Sequence, residues 1–150
     1  MGAAMTAVSA DELIGTWKLK SFVREITGTG ERYDSLGAHP HGYLNYTRDG
    51  HMSVITVAAE RIKPREVVPS DSERAQLYNS MVAYAGTYTV LEGNKVVHHV
   101  DISWNDAWTG TDQVRFFTLD GDTLMIKTAP TKSASDGCEG VWTVVWQRVR

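Results

Sequence analysis

Between residues 84 and 101 the chain alternates with period two on both sides of Gly93-Asn94, a pair suited to a tight turn, and this commits the segment to a β-hairpin. Alternation then decides which side chains share a face. On the second strand Val96, His98, Val100 and Ile102 form one row, and Val97, His99, Asp101 and Ser103 the other. On the first, Tyr84, Gly86, Tyr88 and Val90 lie together. A face that mixes apolar side chains with His and Tyr suits a ligand-holding interior better than a dry core.

The same signature recurs along the chain. Ser9 and Glu12 form a capping box ahead of Leu13 and Ile14, which predicts a helical turn ended by Gly15. Residues 17–24 alternate, with Trp17, Leu19, Ser21 and Val23 on one face and Lys18, Lys20, Phe22 and Arg24 on the other. A loop over 27–40 precedes strands at 42–47 and 51–58, joined across Arg48-Asp49-Gly50. Ser70 and Glu73 make a second capping box, and Ala75, Leu77, Tyr78, Met81 and Val82 recur at helical spacing, predicting one helix over 71–83. After the hairpin come strands at 112–119, 123–128 and 141–148, with a loop over 130–140. About eight strands in up-and-down order predict an all-β fold, an antiparallel barrel with one inserted helix, since closure removes the exposed edges. A barrel of that size has room for one small ligand.

Composition narrows the function classes. The 150 residues read as a single domain over 1–150, with residues 1–10 disordered, long enough to bury roughly 70% of the surface of the unfolded chain. Fifteen basic and eighteen acidic residues give a formal charge of -3 with no basic cluster, which argues against nucleic acid as a partner. No apolar run approaches a membrane span and the start lacks the pattern of a secretory signal, so a cytoplasmic location is expected. Cys138 stands alone, which rules out an internal disulfide and a zinc-thiolate cluster within one chain. His39, His41, His51, His98 and His99 show no recognised metal-ligand spacing, and no phosphate-cradling glycine loop or Ser-His-Asp pattern is present, so neither a metal nor another cofactor is expected. Monomer and homodimer both stay open.

Several segments in order carry a resemblance: Leu13-Ile14-Gly15-Thr16-Trp17-Lys18-Leu19, the run 40–54 with Gly42-Tyr43-Leu44-Asn45-Tyr46, Ala83-Tyr84-Ala85-Gly86-Thr87-Tyr88, His98-His99-Val100, the run 108–115 from Trp108 to Arg115, and Val145-Trp146-Gln147-Arg148. Together they resemble the lipocalin-like domain family over nearly the whole chain. The resemblance implies a lipocalin-like barrel with an internal cavity, and implies that Trp17 closes one end of it against a basic residue of the last strand such as Arg148. Barrels of this shape serve both as carriers and as enzymes.

The candidate site residues follow from which faces look inward. His98, in an aliphatic row, is either a proton shuttle or a core histidine satisfied by hydrogen bonding. Gln113, Arg115, Phe117 and Leu119 share a face whose apolar members point inward. An interior Arg115 must meet a carboxylate, a tyrosine or an anionic ligand; at the rim it would pair with Asp101, Asp106 or Asp112. Tyr84 and Tyr88 are cavity candidates. Tyr43 and Asn45 share one face and Leu44 and Tyr46 the other, and alternation leaves open which is interior. Trp104 and Trp108 either stack on a ligand at the mouth or cap the barrel end. The leading expectation is a binding barrel for an apolar or aromatic compound with one polar end, contacted by Tyr43, Tyr84, Tyr88, His98, Gln113, Arg115, Trp104 and Trp108. The competing expectation is a cofactor-independent isomerase, cyclase or dehydratase, with His98 as acid/base and Arg115 and a tyrosine holding developing negative charge. A structural or partner-binding module is the third class.

Overall fold

The structure, a computed structural model, describes residues 9–133 and 136–150. In chain order the elements are α1 (Ala10–Leu13), β1 (Gly15–Ile26), β2 (Arg32–Asp34), β3 (His41–Tyr46), β4 (His51–Val57), α2 (Asp71–Asn79), β5 (Met81–Leu91), β6 (Lys95–Ser103), a 3-10 turn (Asp106–Trp108), β7 (Asp112–Asp120), β8 (Thr123–Thr128), β9 (Thr131–Lys132) and β10 (Glu139–Arg148). Neighbouring strands pair antiparallel, and β1 pairs with β10 from Trp17 opposite Arg148 to Ile26 opposite Gly140. That pairing closes β1, β3 to β8 and β10 into an eight-stranded barrel, as the run of alternating segments predicts. The two short strands, β2 and β9, pair with β1 and β10 outside the ring. Both lie in segments expected as loops.

The two ends of the barrel differ. At the closed end Trp17 is fully buried; its indole N–H donates to the Leu13 carbonyl at 2.9 Å, and the Arg148 guanidinium lies 4.2 Å over its ring. Arg148 also donates to the carbonyls of Ile14 and Glu12, tying α1 to the last strand. Gly15 makes room for this: its φ is +136°, and a Cβ there would sit 3.2 Å from the Arg148 Nη1. Leu13, Leu44, Val96, Phe117 and Leu124 fill the space around Trp17 as one apolar core. At the other end, α2, the 104–111 segment and residues 129–133 surround an open mouth.

Two expectations are corrected here. First, β1 carries a bulge: Leu19 pairs with Trp146 and Ser21 with Val145, leaving Lys20 as an extra residue. Trp17 and Leu19 therefore point inward, but beyond the bulge Phe22 and Arg24 take the inner face that alternation had assigned to Ser21 and Val23. Second, the helix ends at Asn79; Met81 and Val82, which matched helical spacing, begin β5. A run rich in β-branched and aromatic residues up to Leu91 favours the strand, and pairing with β4 outweighs the helical period. Of residues 1–10, expected to be disordered, 1–8 lie outside the described residues; Ser9 precedes α1, and its backbone N–H donates to Glu12 Oε2 at 2.9 Å.

The hairpin forms as expected. Gly93 and Asn94 have φ of 77° and 55°, the positive pair of a tight turn whose twist matches the strands it joins. A second bulge, at Asp101, interrupts it where Ala85 pairs with Ile102 but Gly86 with Val100. Ile102 consequently leaves the row of His98 and points outward, 67% exposed. Gly86 is required by the close backbone approach at this bulge: a Cβ would fall 1.8 Å from the His99 carbonyl oxygen.

Candidate ligand-binding site

The mouth half of the barrel encloses a cavity of about 630 Å³. Leu44, Val54, Ile126, Val144 and Trp146 supply apolar walls, and Tyr84, His98, Gln113 and Arg115 line it from the adjacent strands β5, β6 and β7. This is the size and mixture of a small-molecule site. Gln113 and the half-buried Arg115 share the inner face of β7 with Phe117, and among the described residues Arg115 makes no ion pair with Asp101, Asp106 or Asp112.

His98 lies 2% exposed between two tyrosines, with the Tyr46 hydroxyl 2.7 Å from its Nε2 and the Tyr84 hydroxyl 2.7 Å from its Nδ1. Burial, reinforced by the charge of Arg115 and then of His99, lowers its pKa from 6.5 to about 3, so the ring is neutral. A neutral imidazole donates through one nitrogen and accepts through the other. Tyr46 is buried, and His98 is its hydroxyl's one hydrogen-bonding partner among the described residues. Placing the ring proton on Nε2 would leave the Tyr46 O–H without an acceptor, which is costly in an apolar surround. The hydrogen bonding therefore assigns the proton to Nδ1, with Tyr46 donating to Nε2 and Tyr84 accepting from Nδ1. This frees the Tyr84 O–H to face the cavity. Burial pushes the Tyr84 hydroxyl's pKa up, opposed by the charge and approach of Arg115, and pushes that of Tyr46 well up.

At the mouth, the Trp108 ring lies tilted at 5.6 Å from Tyr84, Trp104 stands edge-on to Trp108 at 5.4 Å, and Tyr78 of α2 approaches Trp104 at 5.9 Å. Both tryptophans line the cavity, and the Trp104 indole N–H is buried with no acceptor among the described residues. The segment is pinned to the barrel by the backbone N–H of Trp104 donating to the Ala83 carbonyl and that of Gly110 donating to the Val100 carbonyl, both at 2.8 Å. Facing them, Arg24 reaches the cavity from β1, 8% exposed, held in a two-pronged pair with Asp136 at 2.8 Å and lying 5.2 Å from the Trp142 ring.

Two of the expected contact residues lie elsewhere. Tyr43 points outward, 48% exposed, because Leu44 and Tyr46 occupy the inner face of β3; it lines a separate groove of about 400 Å³ on the outer surface with Ile55, Ala85 and Ile102. Tyr88 packs edge-on against Tyr46 at 4.7 Å and donates to the Thr47 carbonyl at 2.8 Å, outside the cavity lining. His99 points outward, as alternation requires, between Asp112 at 2.8 Å and Thr89 at 2.9 Å. Phe22, Arg24, Thr56 and Trp142 line the cavity without having been picked out. Trp142 was findable, because it alternates with Trp146 on the last strand; Arg24 and Phe22 were hidden by the bulge.

Among the described residues no three His, Cys, Asp or Glu side chains converge on a metal site, and no helix is long and apolar enough to cross a membrane. The model of one protein family, described as a lipocalin-like domain, matches residues 14–149. No curated protein matches the chain.

Proposed function

The chain belongs to the lipocalin-like domain family, whose barrels generally suit small hydrophobic ligands, and from that premise we propose that this barrel binds a small apolar or aromatic molecule with one polar end. The observation that carries the reading is the arrangement of the cavity: an apolar chamber of about 630 Å³ with Tyr84, His98, Gln113 and Arg115 gathered on one wall and Trp104 and Trp108 at its mouth. The apolar body of the ligand loses water against Val54, Ile126 and Val144, and its polar end replaces its hydration with hydrogen bonds from that wall. Catalysis by His98 as acid/base has less support. Both of its ring nitrogens are already bonded to tyrosine hydroxyls, and a group with a pKa of about 3 is poorly matched to proton transfer near neutrality.

The reading is tested by titrating the protein with N-phenylnaphthylamine, a neutral apolar fluorophore, and repeating the titration with Trp108→Ala at the mouth and Tyr43→Ala on the outer groove. Saturable binding to one site, weakened by Trp108→Ala and untouched by Tyr43→Ala, is the expected result. Loss of binding in Tyr43→Ala alone would move the site to the outer surface and overturn the reading.

A further inference from the structure

We infer that the occupant of the cavity is an organic anion, an aromatic carboxylate whose charged end meets Arg115 and Tyr84. This deepens the binding reading and rests on it. Two guanidinium groups line the chamber, but they are not equivalent. Arg24 is neutralised by the carboxylate of Asp136 through two bonds of 2.8 Å. Arg115 has no carboxylate partner among the described residues; its Nη1 donates to the Val114 carbonyl at 3.2 Å and its Nη2 reaches Gln113 Oε1 at 3.5 Å. A guanidinium offers five donors in a planar fork, and neutral oxygens alone, those of Val114, Gln113 and the nearby Tyr84 hydroxyl, leave its charge without a counter-charge from the protein.

The groups around Arg115 do not supply the missing charge. His98 is neutral, Tyr84 and Tyr46 are protonated, and Gln113 is an amide whose Nε2 is engaged with Thr111 at 2.8 Å. Of the acidic residues near the opening, Asp112 is bonded to His99, and Asp34 is exposed on β2. The Tyr84 O–H, left free by the tautomer of His98, adds a second donor facing the cavity beside Arg115. A wall that presents a cation and a hydroxyl proton, with no anion, is complementary to a carboxylate. This polarity is local, since the chain as a whole carries a formal charge of -3. The aromatic part of the assignment comes from Trp104, Trp108, Phe22 and Trp142 around the same chamber.

The test compares naphthoate with naphthamide of the same substitution pattern, two probes of nearly identical shape that differ in charge, titrated against the whole chain by calorimetry and by quenching of tryptophan fluorescence. Naphthoate is expected to bind at least about tenfold more tightly, the factor a charge-assisted hydrogen bond contributes. Arg115→Gln is expected to abolish that preference, bringing the affinities for the two probes within about twofold of each other. If naphthamide binds saturably and naphthoate binds no better, the anion assignment falls and the binding reading stands. If neither probe binds, both fall. The wild-type comparison decides the matter even should Arg115→Gln fail to fold.

Discussion

Replacing His98 with Gln isolates the contribution of one buried titration to acid stability. In the unfolded chain the imidazole takes up a proton near its ordinary pKa of 6.5, whereas in the fold it does so only near 3. Between those values the unfolded state binds more protons, so folding stability is fully present above about pH 6.5 and falls as the pH drops toward 3. Each pH unit in that window costs about 1.4 kcal/mol, so at pH 4.5 the wild-type protein loses about 2.7 kcal/mol relative to its neutral plateau from this group alone. Gln can still donate to one tyrosine and accept from the other, but it does not titrate. Carboxylates contribute elsewhere in the scan: the Arg24 guanidinium holds Asp136 well below the ordinary carboxylate range, and that stabilisation, present above about pH 4 and lost below it, is constant over the window used. Urea unfolding of both proteins, followed by tryptophan fluorescence from pH 4.5 to 7.5, gives the difference directly. The gap between wild type and His98→Gln is expected to move by about 2.7 kcal/mol across the scan in the direction that favours the variant in acid. Parallel curves would refute the buried neutral imidazole.

Four further outcomes are expected. Trp17→Ala should lower stability by about 3–5 kcal/mol, as for a fully buried aromatic; a urea midpoint within error of wild type would show that the ring does not hold the closed end together. Gly86→Ala should prevent the β5–β6 bulge from closing and yield little folded protein, so a native circular dichroism spectrum with an unchanged midpoint would contradict the 1.8 Å approach. Nitrogen NMR of His98 should report the Nδ1–H tautomer, and the pattern of the Nε2–H form would reverse the assignment of which tyrosine donates. Chelation should leave the unfolding midpoint where it is, and stoichiometric zinc or iron carried through purification would count against a metal-free fold.

The barrel was legible because its signal is local and repeated. Period-two alternation and turn residues such as Gly93-Asn94 specify strands without reference to the rest of the chain, and Tyr84, His98, Gln113 and Arg115 fall on inner faces as alternation requires. The errors cluster where local pattern is silent. The bulges at Lys20 and Asp101 are set by register against β10 and β5, so no count along β1 or β6 alone reveals that Arg24 turns in or Ile102 turns out. Tyr43 and Tyr46 could not be told apart by chemistry, only by which row met the closed core. The end of α2 was misplaced because Met81 and Val82 fit two periods at once, and pairing with β4 decided between them.

The extra residue at Lys20 makes strand register, as well as chemistry, a determinant of what lines the chamber. Upstream of it, β1 contributes Trp17 and Leu19 to the closed end; downstream, the same strand contributes Phe22 and Arg24 to the mouth. Pairing the same residues without the bulge, with Lys20 opposite Val145, would leave the closed end in place and turn the remainder of the strand over, withdrawing the Arg24 guanidinium from the chamber and bringing in the isopropyl group of Val23. The wall that β1 contributes would then be aliphatic without any residue being replaced, while Arg115 on β7 stayed in the chamber, so the register at this one bulge decides which side chains of the first strand line the cavity.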